Sequence, residues 1–207
     1  MKRLLILLAL FAASVPANGA APAETPMILV FGDSISAGYG LPQEQGWVEL
    51  LRTRLKSQGY GYQVVNASVS GETTAGGLAR LPRALELHHP GIVILELGGN
   101  DGLRGLPIAQ MRTNLTQMAN LSSAAGAKVL LLGMRMPPNY GPQYTEQFAM
   151  VFSDLAAERK IPLVPFLLTD IALSPALLQN DDIHPNALGQ PILLDNVWPT
   201  LKPLLHK

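Results

Sequence analysis

The chain has 207 residues, 48% of them hydrophobic and 14% charged, which fits one medium domain with a sizeable core and argues against disorder. Fifteen Lys and Arg balance fifteen Asp and Glu with no basic run, so no electrostatic footprint for nucleic acid is present. Cysteine is absent, which excludes disulfides, a Cys nucleophile, thiolate metal sites and a lipid-modified N-terminal cysteine.

Lys2-Arg3 forms a short basic start, residues 4–15 are apolar but for Ser14, and residues 16–23 are rich in Ala with Gly and Pro. That three-part pattern is a secretory signal peptide. The apolar run is shorter than the roughly 20 residues a spanning helix needs. A signal peptide over residues 1–23, cut somewhere in residues 19–23, and one domain over 24–207 are expected. Loss of Lys2 and Arg3 leaves 15 − 2 = 13 basic against 15 acidic residues, a mildly acidic protein. With no Cys to carry a lipid, it should be exported without a membrane anchor, to the periplasm or beyond, and a monomer is the expected state.

Residues 27–31, Met-Ile-Leu-Val-Phe, read as a buried strand that stops at Gly32-Asp33-Ser34. Taken alone, Gly-Asp-Ser also fills turns for purely conformational reasons. Trp47, Leu50, Leu51 and Leu55 recur at helical spacing, with Gly59 as a stop. Residues 63–67 are a short second strand, and residues 68–74 a loop of small polar side chains. Leu78, Leu81 and Leu85 mark a helix with Pro82 inside it, ended by His88-His89-Pro90-Gly91. Residues 92–97, Ile-Val-Ile-Leu-Glu-Leu, are the most strand-like run in the chain and lead into Gly98-Gly99-Asn100-Asp101.

Pro107 opens a helix with Ile108, Met111, Leu115 and Met118 on its inner stripe and Gly126 just beyond its end. Its Met residues read as core filler. Residues 128–133 are a fourth strand and residues 134–142 an irregular Pro-rich loop. A helix follows over about 144–159, with Phe148, Phe152 and Leu155 inward. Leu163-Val164-Pro165 reads as a short edge strand. Residues 180–186, Asn-Asp-Asp-Ile-His-Pro-Asn, form a polar loop, and Asn186 can cap a last helix carrying Leu193, Leu194 and Val197. Alternating strands and helices predict an α/β fold, a parallel sheet covered on both faces.

If the strands are parallel, the residues that follow them share one rim. Ser34 follows the first strand, the Ser70-Gly71 loop the second and Asn100-Asp101 the third; Asp181 and His184 precede the last helix. Each type fits a role in acyl transfer. A serine hydroxyl needs a base to become a nucleophile, and a neutral imidazole serves. A carboxylate fixes the imidazole tautomer. The developing oxyanion needs preorganised donors, which the N–H groups of Ser34 and Gly71 and the Asn100 amide can supply.

Gly32-Asp33-Ser34, the lone Gly71, Gly-Gly-Asn-Asp at residues 98–101 and Asp181-x-x-His184 resemble, in order, the four blocks of the SGNH hydrolases, also called GDSL lipases and esterases. The opening at residues 31–40 and the run from Asn100 to Gly105 are similar to the exported thioesterase I, lysophospholipase and arylesterase branch. The one departure is Ile35, where the GDSL name has Leu. The resemblance implies a flavodoxin-like three-layer α/β/α sandwich around five parallel strands. It implies Ser34 as nucleophile, His184 as base, Asp181 as acid, and Ser34, Gly71 and Asn100 as the oxyanion hole. No metal or organic cofactor is implied.

Competing assignments are few. Asp182 rivals Asp181, but neighbours on an extended loop point to opposite sides, and Asp181 has the family spacing. Asp33 and Asp101 are expected to hold their own loops. Glu96, inside the central strand, is either a paired buried carboxylate or points at a helix edge. His88 and His89 should lie at a solvated helix end and His206 in a mobile tail. The sequons at Asn66 and Asn114 read as chance matches. The loops over 102–107 and 134–140 are apolar, with Leu103, Leu106, Met134, Met136 and Pro138 as expected walls of an acyl groove. Medium-chain acyl esters, acyl thioesters or lysophospholipids, all small-molecule substrates, are expected. A carbohydrate acetylesterase on the same scaffold, or a non-catalytic lipid-binding module, are the alternative readings.

Overall fold

The computed structural model describes residues 25–207, so the expected signal peptide falls outside the described residues. Five parallel strands form the sheet: β1 (Met27–Gly32), β2 (Gln63–Asn66), β3 (Ile92–Glu96), β4 (Lys128–Leu132) and β5 (Leu163–Val164), in spatial order β2-β1-β3-β4-β5. Ile28 to Phe31, Ile92 to Leu95 and Leu130 to Leu132 are buried on both faces, which is why these runs are continuously apolar rather than alternating. The two-residue β5 sits at the edge, next to Pro165, where a missing N–H costs least.

The helices are α1 (Ser34–Ala37), α2 (Trp47–Ser57), α3 (Thr74–His88), α4 (Gly99–Leu103), α5 (Ile108–Ala124), α6 (Pro142–Arg159) and α7 (Gln190–Leu201). Helices α2 and α7 pack together on one face of the sheet, and α3, α5 and α6 form a row on the other. The five long helices are those the periodicity predicts. The two short ones, α1 and α4, are additions, and both lie where a strand hands its chain to the rim. Three local expectations shift. The loop after β2 ends one residue earlier, because Thr74 already belongs to α3. Asn186 caps the turn ahead of α7, taking the Leu188 and Gly189 N–H groups, rather than the helix itself. His206 is tied down, its Nδ1 2.7 Å from the Tyr62 hydroxyl.

The strand order reverses at β1: the chain steps from β1 outward to β2, then returns to place β3 on the other side of β1. Ligand crevices of open α/β sheets lie outside the carboxyl ends of the strands at such a switch point. The loops after β1 and β3 meet there. No helix among the described residues is long and apolar enough to cross a membrane.

Candidate active site

Strand β1 ends at Gly32, and the chain turns at once into α1, whose first residue is Ser34. The turn is compact because Gly32 has no side chain: a Cβ there would run into the Glu96 carboxylate and lie 2.9 Å from the Glu96 carbonyl on β3. Asp33 caps α1, its Oδ1 accepting the Ile35 N–H at 3.0 Å. Below the turn, Glu96 Oε2 accepts the Asp33 N–H at 3.2 Å and the Ser36 hydroxyl at 2.8 Å. Asn66 at the end of β2 donates to the Ser36 carbonyl at 2.7 Å. Ser34 therefore sits on a turn fixed from both neighbouring strands.

His184 is brought over it from the far end of the chain. Its Nε2 is 2.9 Å from Ser34 Oγ and its Nδ1 is 2.6 Å from Asp181 Oδ2. The loop that carries it is held by backbone bonds from Gln179 N–H to the His184 carbonyl and from Asn186 N–H to the Leu177 carbonyl, both 2.8 Å. Gln190 donates to the Pro185 carbonyl at 3.2 Å and accepts the Trp47 N–H at 2.9 Å, fastening the loop to α2 and α7. The Tyr39 ring lies 4.6 Å from the His184 ring, centroid to centroid.

Asp181 Oδ1 accepts the N–H groups of Ile183 and His184, both at 3.0 Å, which leaves Oδ2 for the imidazole. Burial by itself would raise this carboxyl. The His184 N–H, the imidazole and the Ile183 N–H outweigh it and hold Asp181 down to about 2. Asp182 is exposed and in the left-handed region at φ 56°, so the loop is a tight turn rather than extended. What sets Asp181 against His184 is that turn, not strand-like alternation.

Gly71 and Asn100 flank the same mouth. Gly71 has φ 78°, which a side chain would strain, and its carbonyl accepts from Arg104 at 2.8 Å. Among the described residues neither the Ser34 nor the Gly71 N–H has an intramolecular acceptor, so both are free for a ligand oxygen. Asn100, on α4, donates from Nδ2 to Asp33 Oδ2 at 3.1 Å. The next residue, Asp101, does more than hold its own loop: it accepts the Thr74 N–H at 2.8 Å and the Thr74 hydroxyl at 2.5 Å. Asn114 Nδ2 donates to that hydroxyl at 3.0 Å. This chain ties the start of α3 to α4 and α5. Asn114, a sequon in the sequence, is thus buried and hydrogen-bonded in the fold.

The predicted groove residues divide. Leu103 is half-buried, and Leu106 and Pro138 are exposed. Met134 and Met136 are not open walls: they are 6% and 8% exposed. Met136 packs against Gly102 and Met134 against Gly99, under α4, because those glycines leave room for their side chains. Tyr140 and Tyr144 donate to the Leu103 and Gly102 carbonyls at 3.1 and 3.2 Å and hold the loop over that floor. Surface cavities of about 610 and 700 Å³ lie elsewhere and contain neither Ser34 nor His184. Among the described residues no group of three or more His, Cys, Asp or Glu side chains could hold a metal ion.

Glu96 and Asp33 are the buried acids directly beneath Ser34. Burial, then the neighbouring Asp33 charge, pushes Glu96 well above the usual carboxylate range. Burial raises Asp33 to about 6, against the opposing pull of the Ile35 N–H, His184, Asn100 and Glu96. Folding therefore takes up protons at both groups, and their stabilising effect is lost as pH rises from about 4 through 6 and beyond. Glu96→Gln, which cannot ionise, should gain on the wild type by a few degrees in melting temperature between about pH 5 and pH 8. Parallel melting curves at both pH values would contradict this.

A serine–imidazole–carboxylate chain with free N–H donors beside it, on the carboxyl rim of a parallel sheet, is the constellation of a serine acyl hydrolase. The chain belongs to the GDSL-like lipase/acylhydrolase family, whose model matches residues 30–192. It is 56% identical over 183 residues to the esterase TesA of Pseudomonas aeruginosa, covering 88% of this chain and 91% of that one. It is 43% identical over 187 residues to thioesterase 1/protease 1/lysophospholipase L1 of Escherichia coli K12, covering 90% and 88%. A crystal structure of TesA superposes with a TM-score of 0.85 at 57% identity, over 86% of this chain and 99% of that one. The flavodoxin-like three-layer architecture and the ester and thioester hydrolase class expected from the sequence both stand.

Proposed function

We propose that Ser34 is the nucleophile of this hydrolase, with His184 as base and Asp181 as the acid that orients it. The observation that carries this reading is the continuous hydrogen-bonded chain from Asp181 through His184 to Ser34. His184 Nδ1–H donates to Asp181, which leaves the Nε2 lone pair facing the hydroxyl. Nε2 takes the proton as Oγ attacks the acyl carbon of an ester or thioester. The tetrahedral oxyanion is received by the Ser34 and Gly71 N–H groups and the Asn100 amide. Collapse expels the alcohol or thiol, protonated by His184, and leaves an acyl-Ser34 ester. Water, deprotonated by the same imidazole, then releases the acid.

Medium-chain acyl esters, acyl thioesters and lysophospholipids are the substrate classes we assign, with the half-buried Leu103 and the exposed Leu106 and Pro138 as apolar contacts beside the mouth. The relatives' names point the same way: one is an esterase, the other a thioesterase and lysophospholipase. Residues 1–23, with their basic, apolar and Ala-rich parts, support export to the periplasm. A serine-directed fluorophosphonate tests the core of the reading. Intact-mass and peptide analysis should place the adduct on Ser34 in the native protein, with no adduct in His184→Ala. Labelling at another residue, or undiminished labelling of the variant, would refute it. A p-nitrophenyl ester series run beside acetylated sugars should favour acyl chains longer than acetyl. A preference for the sugars would move the substrate to carbohydrate esters.

A further inference from the structure

We propose that Asp33 is a positioning residue for the Asn100 amide: its carboxylate accepts one Asn100 Nδ2–H and thereby aims the other at the oxyanion. This rests on the reading of Asn100 as an oxyanion donor. A primary amide presents a donor and an acceptor of nearly the same size and shape, and rotation by half a turn exchanges them. With Nδ2 toward the reacting carbon, Asn100 stabilises the tetrahedral intermediate; with Oδ1 there it would repel it. Something must tell the two apart. An ionised carboxylate is acceptor-only, and Asp33 Oδ2 lies 3.1 Å from Asn100 Nδ2.

Asp33 is itself immobile. It is 2% exposed, its Oδ1 is held by the Ile35 N–H, and its own N–H is held by Glu96. Its Oδ2 also rests against Gly99, where a Cβ would come within 3.2 Å. The carboxylate that caps the nucleophile's helix therefore also sets the amide, so that Ser34 and Asn100 are registered to one side chain. The charged and titratable groups around Asp33 are Glu96 from β3 and His184 from the loop before α7. With Asp33 held to about 6, the discrimination is in force above that pH. Below it, protonated Asp33 can donate to Oδ1 and the amide is released.

A double-mutant cycle on kcat for a p-nitrophenyl ester tests this. Asp33→Asn keeps the cap, since Asn is as good an N-cap as Asp, but with its oxygen on the Ile35 N–H its NH2 faces Asn100 and favours Oδ1 there, turning that amide over. We expect kcat to fall roughly 10- to 100-fold with KM within about twofold. Asn100→Ala alone should lose about 100- to 1,000-fold. The double variant should be no slower than Asn100→Ala. If the Asp33→Asn loss is undiminished in the Asn100→Ala background, Asp33 acts on something else and the proposal fails. Wild-type turnover in Asn100→Ala would overturn the oxyanion reading instead.

Should Asp33→Asn not fold, the wild-type enzyme decides by NMR. One Asn100 Nδ2 proton should be protected from exchange relative to free asparagine at about pH 8, with protection lost as pH falls through about 6. Equal exchange of both protons at every pH overturns the proposal.

Discussion

His184→Ala should lower kcat for ester hydrolysis by about 10⁵- to 10⁶-fold while leaving the melting temperature nearly unchanged. The loss is large because the imidazole serves both half-reactions: it deprotonates Ser34, protonates the leaving group, and then deprotonates water. Without it the Ser34 hydroxyl remains a weak nucleophile. What survives is the contribution of the free Ser34 and Gly71 N–H groups and Asn100, which in comparable sites amounts to roughly 10³- to 10⁴-fold over water. The fold should persist, because the bonds that hold the loop run through the His184 backbone, not its ring. The Gln179 N–H meets the His184 carbonyl, and Gln190 meets the Pro185 carbonyl. Tyr39 loses one face contact, and its ring is already half exposed. Turnover of p-nitrophenyl esters together with a thermal melt measures both quantities. A fall in rate of less than tenfold would remove His184 from the chemistry.

The sheet and the rim were legible because their signals are local and physical. Strands buried on both faces must be continuously apolar, as residues 27–31 and 92–95 are. A parallel sheet then sends every strand's carboxyl end to one side, so Ser34, Gly71 and Asn100 could be grouped before any contact was known. Helices α1 and α4 were invisible because four or five residues give no periodicity; turns fixed by Asp33 and by Gly98 at φ 116° create them. Glu96 could be placed inside the central strand but neither buried nor aimed: only the β1–β3 register, with Gly32 opposite Glu96, puts its carboxylate under the Asp33 turn. The side chains that connect the functional ones are the least legible. Thr74, Asn114 and Tyr39 act through partners 27 to 145 positions away, and little in their neighbourhoods marks them. A sequon at Asn114 and an aromatic in the run after Ser34 were the only local hints. Met134 and Met136 mislead for the opposite reason. Their flexible side chains suit either a groove wall or core filler, and the bare backbones of Gly99 and Gly102 decide for the core.

Asp181→Asn should cost about 10⁴-fold in kcat, and the reason lies in the other oxygen of the carboxylate. Oδ1 accepts two backbone N–H groups, from Ile183 and His184, each at 3.0 Å. An asparagine in that place must keep its oxygen on those two donors, since turning the amide over would oppose donor to donor. Its NH2 is then directed at His184 Nδ1. Facing a donor, Nδ1 becomes the acceptor, so the ring proton moves to Nε2. Nε2 then donates to Ser34 Oγ at the distance where it should be taking the proton, and the base is lost without any displacement of the ring. Asp181→Ala removes the orienting oxygen but imposes no wrong tautomer, so it should be no slower than Asp181→Asn and gain more from raised pH. Asp182→Asn, on an exposed side chain directed away by a left-handed backbone, should stay within about twofold of wild type. Proton NMR of the imidazole N–H, with ¹⁵N-labelled histidine, reads the tautomer directly. Wild type should carry the proton on Nδ1 and Asp181→Asn on Nε2. An Nδ1–H tautomer in Asp181→Asn, or equal losses in Asp181→Asn and Asp182→Asn, would sink this account of the acid.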